Sequence, residues 1–227
     1  MKILGNIFSK QKHDYFDAYS FLKTDIHSHL IPNVDDGTKD FNETVEIIKE
    51  LKQLGYKKLI ITPHINSEYK NNKEDLISKY NHLNQIVSSL QLDIEIAAEY
   101  LIEYGFEDKI NQTELLSFNS KKYILIELPF LYIPQNFFNV IFELRLNGYF
   151  PILAHPERYP QFYQDFQKYV ELKDREILFQ VNIVSFTGLY DNYVKKIAIK
   201  LLDNNLIDFL GSDTHNHKYI TCLQTFV

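Results

Sequence analysis

The strongest constraint in this chain is a series of short β-branched and aromatic runs, each followed by a helical pattern and most closed by a histidine or carboxylate. Strands are expected at 24–29, 58–62, 94–100, 123–128, 150–155, 177–184 and 207–213. Helical periods fall between them. DFNETVEIIKELKQLG offers Asp40 as N-cap, Glu43 three residues on and Gly55 at the stop, with Phe41, Val45, Ile48 and Leu51 on one face. NKEDLISKYNHLNQIVSSL, NFFNVIFELRLNG and YDNYVKKIAIKLLDNN read the same way, the last with Tyr193, Ile197 and Leu201 on one stripe. Alternating strands and helices require right-handed crossovers, and hence a parallel sheet. Seven strands come close to closing a barrel, which is favoured over an open sheet.

In parallel α/β folds the carboxyl ends of the strands form the active face. Six of the seven expected strands deliver His, Asp or Glu there: His27 and His29, His64, Glu99, Glu127, His155, and Asp213 with His215. Strand residues i and i+2 share a face, so His27 and His29 converge. A lone histidine is usually a satisfied polar group. The set is different, because Glu99 and Glu127 close apolar runs where an uncompensated buried carboxylate costs several kcal/mol. The expectation is a multinuclear metal site, with Asp35 or Asp36 bending back over the rim from the following loop.

Composition narrows the function classes. A formal net charge of -6 offers nucleic acid no basic field, so an anionic substrate needs local positive charge, which metal ions supply. The single cysteine, Cys222, forms no internal disulfide, which fits a reducing cytoplasm. No apolar run approaches the ~20 residues of a membrane span, and the first twenty residues are too charged for a signal peptide. With a hydrophobic share of 45% and no composition break, residues 23–227 are expected to form one domain behind an arm, 1–22, whose Tyr15, Phe16, Tyr19 and Phe21 pack under the barrel.

HSHLIPNVDDG, ITPH, AAEY, IELP, AHPERY and SDTHN, in this order from Thr24 to Asn216, resemble the polymerase and histidinol phosphatase (PHP) superfamily. Within it they are most similar to the manganese-dependent protein-tyrosine phosphatases of bacterial capsule and exopolysaccharide clusters. The resemblance implies a distorted (β/α)7 barrel, TIM-like, and three divalent ions, manganese with iron or zinc as the alternatives. His27, His29, Glu99 and Asp213 would hold the first ion. Glu99 would bridge to a second, held also by Glu127 and His155. Asp36, His64 and His215 would hold the third; the choice of Asp36 over Asp35 rests on the resemblance alone. Four ligand carboxylates against three divalent ions leave roughly +2, suited to a phosphate monoester dianion. Arg158 in HPER would clamp the phosphate, with Asp213 and His64 sharing the catalytic step and water attacking phosphorus in line.

Relatives often carry a further arginine after the D-x-H-N motif. Here the chain reads HNHKYITCLQTFV, so Lys218 or His217 is the expected substitute. Asn182, at the end of the sixth strand, is expected to hydrogen-bond at the rim, either to substrate or in support of the ligands, and Tyr132, Tyr159 or Tyr190 to stack on a substrate ring. A bland alternative for Arg158 is a surface pair with Glu157 or Asp165. The implied partner is the phosphotyrosine tail of an autophosphorylating bacterial tyrosine kinase. A small-molecule phosphatase of the histidinol-phosphate type, or a non-catalytic metal-binding module, are the alternatives.

Overall fold

The computed structural model describes residues 22–225, so Tyr15, Phe16, Tyr19 and Phe21 of the expected arm lie outside it. The order of elements is β1 (Thr24–Asp25), α1 (Phe41–Gln53), β2 (Lys58–Ile61), β3 (His64–Ile65), α2 (Lys73–Val87), β4 (Asp93–Ile96), β5 (Glu99–Leu101), α3 (Phe106–Gln112), β6 (Tyr123–Glu127), α4 (Phe137–Leu146), β7 (Phe150–Ala154), α5 (Gln167–Asp174), β8 (Leu178–Asn182), α6 (Asn192–Asp203), β9 (Phe209–Gly211) and α7 (His217–Thr225).

The strands form two parallel sheets, β1-β2-β4 and β3-β5-β6-β7-β8-β9. The strand expected at 94–100 is thus split in two, and a further short strand, β3, follows the one expected at 58–62. Pro63, which has no N–H to give a ladder, separates β2 from β3, and Ala97-Ala98 separates β4 from β5. Backbone bonds carry the strand paths across the breaks: Ala97 N donates to Ile61 O at 2.9 Å and Glu99 N to Pro63 O at 3.1 Å. The first path also continues past Asp25. A parallel bridge joins Ser28 to Thr214, and His29 N donates to Thr214 O at 2.9 Å.

Local chemistry explains the helices. The Asp40 carboxylate caps α1 by accepting from the N–H groups of Asn42 at 2.8 Å and Glu43 at 3.0 Å. Gly55, at φ 106°, takes the left-handed turn that ends it. Helix α1 buries Thr44, Ile47, Ile48 and Leu51, while Phe41 and Val45 stay half-buried at the edge of that face. In α6 the buried stripe is Val194, Ile197, Ala198, Leu201 and Leu202. Tyr193 is turned away from it, 60% exposed and stacked on Tyr163, a correction to the stripe expected from sequence.

Both faces of the sheets are buried, as parallel strands under crossover helices require. One set, including Leu59, Ile61, Ile124, Ile126 and Leu153, packs into the large core with the helices. The alternate set, Ile26, Ile60, Leu125, Ile152 and Ala154 with Ala97 and Phe118, forms a second, smaller cluster drawn from both sheets. Each fully buried Ile or Leu contributes about 1.5–3 kcal/mol, so the strand ends project from a rigid base.

Candidate metal and phosphate site

Each strand path carries its polar residue to one rim, and the backbone there is specialised. His155 and Asp213 take left-handed φ values of 34° and 53° just past β7 and β9. That region is sparsely populated by residues other than glycine, at a cost of order 1–3 kcal/mol. The turn at His155 leads directly into a 3-10 segment, Pro156–Arg158, which brings Arg158 back over the rim. Two glycines allow the close approach of neighbouring chain. A Cβ on Gly211 would lie 2.8 Å from the His27 Cβ, and one on Gly37 would lie 2.2 Å from His29 O.

The imidazoles are oriented from behind. His27 Nδ1 donates to Gln180 Oε1 at 2.7 Å, His29 Nδ1 to Asp35 Oδ2 at 2.8 Å, and His215 Nδ1 to Asp213 O at 2.8 Å. These partners only accept, so the protons sit on Nδ1 and each Nε2 turns a bare lone pair inward. The Nε2 atoms of His27 and His29 then face each other at 3.1 Å, with Glu99 Oε2 3.1 Å from His27. Asp213 Oδ1 lies 3.3 Å from the same atom. Acceptors crowded this closely repel unless a cation lies among them, so the donor set fits divalent metal. Protons compete for the same lone pairs. Burial pulls the His27 ring down, but Glu99 and Asp213 overcome it and push its pKa up to about 9. Burial likewise raises the Glu99 and Asp213 carboxyls, yet the surrounding histidines hold both well below the usual range.

Four sets of donor atoms lie within 4.8 Å of one another: His29, Asp36, His64 and His215; His27, His29 and Asp213; His27, Glu99 and His155; His64, Glu99 and Glu127. All nine residues expected as ligands are therefore together. The sets overlap, with His27, His29, His64 and Glu99 each in two of them. Both aspartates of the DDG loop are used, for different ends. Asp35 orients His29 and, despite burial, is lowered to about 2 by that ring. Asp36 aims Oδ1 at His215 and His64, 3.4 and 3.6 Å away.

A cavity of about 240 Å³ opens over these residues, lined by seven of the nine expected ligands, all but His27 and His29, and by Arg158, Phe130 and Tyr219 among others. Arg158 is not in a surface pair. Its Nη1 donates to Asp213 Oδ2 at 3.1 Å, and its guanidinium lies 4.4 Å from the Tyr190 ring and 5.1 Å from Phe130. Glu157, the suggested surface partner, is fully buried and accepts instead from Asn182 N and Ser185 Oγ. Asn182 is also fully buried, which corrects the expected contact with substrate in favour of the supporting hydrogen bond at the rim. Its Nδ2 is committed to Asp213 Oδ2 at 2.7 Å and to Tyr190 OH at 3.0 Å. Asp213 Oδ2 thus receives Arg158, Asn182 and Tyr190, which leaves Oδ1 for the cluster.

Other expectations at the rim change too. Lys218 is exposed on α7 and does not line the cavity, and His217 pairs with Glu50 of α1 at 3.2 Å. Tyr219 lines the wall where the extra arginine was expected. Tyr159 is fully buried behind His155, and Tyr132 is exposed outside the cavity. Sequence reasoning missed Gln180 and Tyr219; Gln180 follows His27 by more than a hundred and fifty residues, so only the fold joins them.

The family model for capsular polysaccharide synthesis, CpsB/CapC, matches residues 23–221. The chain belongs to the CpsB/CapC family. CapC of Staphylococcus aureus is 33% identical over 195 residues, covering 85% of this chain and 76% of that protein. Tyrosine-protein phosphatase YwqE of Bacillus subtilis is 32% identical over 197 residues, covering 86% and 78%. Among solved structures, those of YwqE from Bacillus subtilis and CpsB from Streptococcus pneumoniae, described as unique metal-dependent tyrosine phosphatases, give a TM-score of 0.81 at 30% identity. That match covers 89% of this chain and 85% of its counterpart. A phosphotriesterase homology protein from Escherichia coli matches at TM-score 0.51 and 13% identity, over 89% of this chain and 85% of that one, a likeness of fold alone.

Proposed function

We infer that this chain is a metal-dependent protein-tyrosine phosphatase. The observation that carries the reading is the convergence of five imidazoles and four carboxylates in one cluster, beneath a cavity that Arg158 also lines. Membership of the CpsB/CapC family, whose relatives are named tyrosine phosphatases, supports the substrate class. A distorted seven-stranded barrel is the frame we propose; the Ser28–Thr214 bridge and the inner cluster drawn from both sheets support closure. Three divalent ions, manganese foremost, are proposed for the nine ligands His27, His29, Asp36, His64, Glu99, Glu127, His155, Asp213 and His215.

Ions held there supply Lewis acidity and make water a nucleophile near neutral pH. The residues do the rest. Gln180, Asp35 and the Asp213 carbonyl fix three imidazole tautomers before substrate arrives. Arg158, held by Asp213 and Tyr190, presents its planar fork to the phosphoryl oxygens as charge develops on them. His64, with its Nδ1 3.2 Å from Glu127 Oε1 and partly open to the cavity, is placed to hold or pass a proton. A phenolate leaves more readily than an alkoxide, so tyrosine phosphate demands less of that proton.

The proposed substrate is the phosphotyrosine of a bacterial tyrosine kinase, met in the cytoplasm. Among the described residues no helix is long and apolar enough to cross a membrane. The deciding experiment assays the purified chain on a phosphotyrosine peptide and on histidinol phosphate, with manganese titrated and metal content measured. Manganese-dependent hydrolysis of the peptide is expected, with two to three metal equivalents per chain. Preference for histidinol phosphate, or less than one equivalent after manganese is supplied, overturns the reading.

A further inference from the structure

The loop after β6 reads Pro129-Phe130-Leu131-Tyr132-Ile133-Pro134 and leaves three large apolar side chains open. Phe130 is 41% exposed, Leu131 92% and Tyr132 57%. Isolated exposed hydrophobes are ordinary, but a contiguous group at the mouth of a charged cavity marks a contact surface. Of the three, only Phe130 lines the cavity. Its ring lies parallel to His155, centroids 6.2 Å apart at 11°, and against Tyr159 at 5.6 Å. The Arg158 guanidinium is 5.1 Å from it. One side of Phe130 is therefore backed by a fixed wall while the rest faces the opening.

The loop is held in place. Proline restricts the backbone at both ends, and Gln161 Nε2 donates to Pro129 O at 3.1 Å. A pre-set aromatic surface loses little freedom when a flat group lies against it. Arg158 and the ligand cluster below call for a phosphoryl group, so the group meeting Phe130 is the one that phosphoryl group is attached to. An aryl ester places a ring at that height; a serine or threonine ester places only a methylene or methine there.

We propose that Phe130 selects the leaving group, its open side stacking on the aromatic ring of an aryl phosphate whose phosphoryl group lies over the ligand cluster. This rests on the reading that the cavity takes a phosphomonoester. The test measures Kd for phenylphosphonate and methylphosphonate, neither of which is hydrolysed, by calorimetry on the full manganese-supplemented chain. The parent is expected to prefer the phenyl compound by about tenfold, equal to 1.4 kcal/mol and within reach of an aromatic pair plus its buried area. Phe130→Ala should compress that preference to about twofold, and Phe130→Trp should keep it. An unchanged preference in Phe130→Ala overturns the proposal. So does an equal weakening toward both phosphonates, which marks a purely structural role beside His155. A parent that binds both phosphonates equally overturns this proposal alone, whereas one that binds neither removes the phosphatase reading and this inference together.

Discussion

Arg158 sits between two duties, since the same guanidinium that faces the cavity also donates to Asp213. Arg158→Ala should retain metal yet lower kcat/KM on a phosphotyrosine peptide by about a hundredfold, on the order of 3 kcal/mol. Arg158→Lys should recover part of this, because an ammonium cannot make the forked contact. Activity of Arg158→Ala within about threefold of the parent, under 1 kcal/mol, would assign the arginine to holding Asp213 alone. Gly211 tests the opposite kind of residue, one that does its work by having no side chain. Its missing Cβ leaves room for the His27 Cβ and for Gln180 Nε2, each 2.8 Å from where it would be. Gly211→Ala should therefore displace His27 from its Gln180 contact and reduce metal content, measured by elemental analysis, well before the chain unfolds. A Gly211→Ala protein with parental metal content would show that the strand end yields instead.

Among the elements, α1 follows the DDG loop and fixes where that loop ends. Asp40 closes its first turn with two N–H contacts. Asp40→Ala should cost about 1 kcal/mol, a drop of a few degrees in Tm, with kcat little changed. A Tm equal to the parent's would mean that the cap is satisfied by other groups. The strands and helices were legible in the sequence wherever side-chain period decided the matter: β-branched runs for the strands, and apolar stripes for the helices, with Asp40 at one helix start. What was not legible depended on backbone chemistry inside a run. Ala97 and Ala98 interrupt a strand whose residues read as continuous, and a second short strand follows Pro63, which has no N–H to give. Tyr193 fits a helical stripe by spacing alone, and only the packing of Val194 and Ala198 shows which side of α6 faces inward. Eight of the nine ligand residues were legible because they stand at the ends of expected strands, whereas Asp36 lies in a loop and its choice over Asp35 rested on the resemblance. Asn182 was legible as a hydrogen-bonding residue at the rim, but the supports Gln180 and Tyr190 were not recognised as such, since each reaches its partner only through tertiary contact.

For the molecule as a whole, the cluster couples metal uptake to protons. The pKa of His27 stands at about 9, so divalent ions must displace protons from the site below that pH. Metal affinity should fall as pH drops through the neutral range, by about tenfold per pH unit for each proton displaced. Titration of the chelator-treated chain with manganese at several pH values measures this, and affinity that does not change with pH would contradict it. Chelation should also abolish hydrolysis and lower Tm, and manganese should restore both. The span of the cluster has a further consequence, for synthesis. Asp25, fully buried, accepts from the N–H and hydroxyl of Ser212, and the ligands run from His27 to His215. A nascent chain on the ribosome carries His27 and His29 early, but the residues that complete their surroundings are translated nearly two hundred codons later. Ions captured by the histidines made first have no closed site to settle in, so the site is completed only once the strand leading to Asp213 has been made and meets the first.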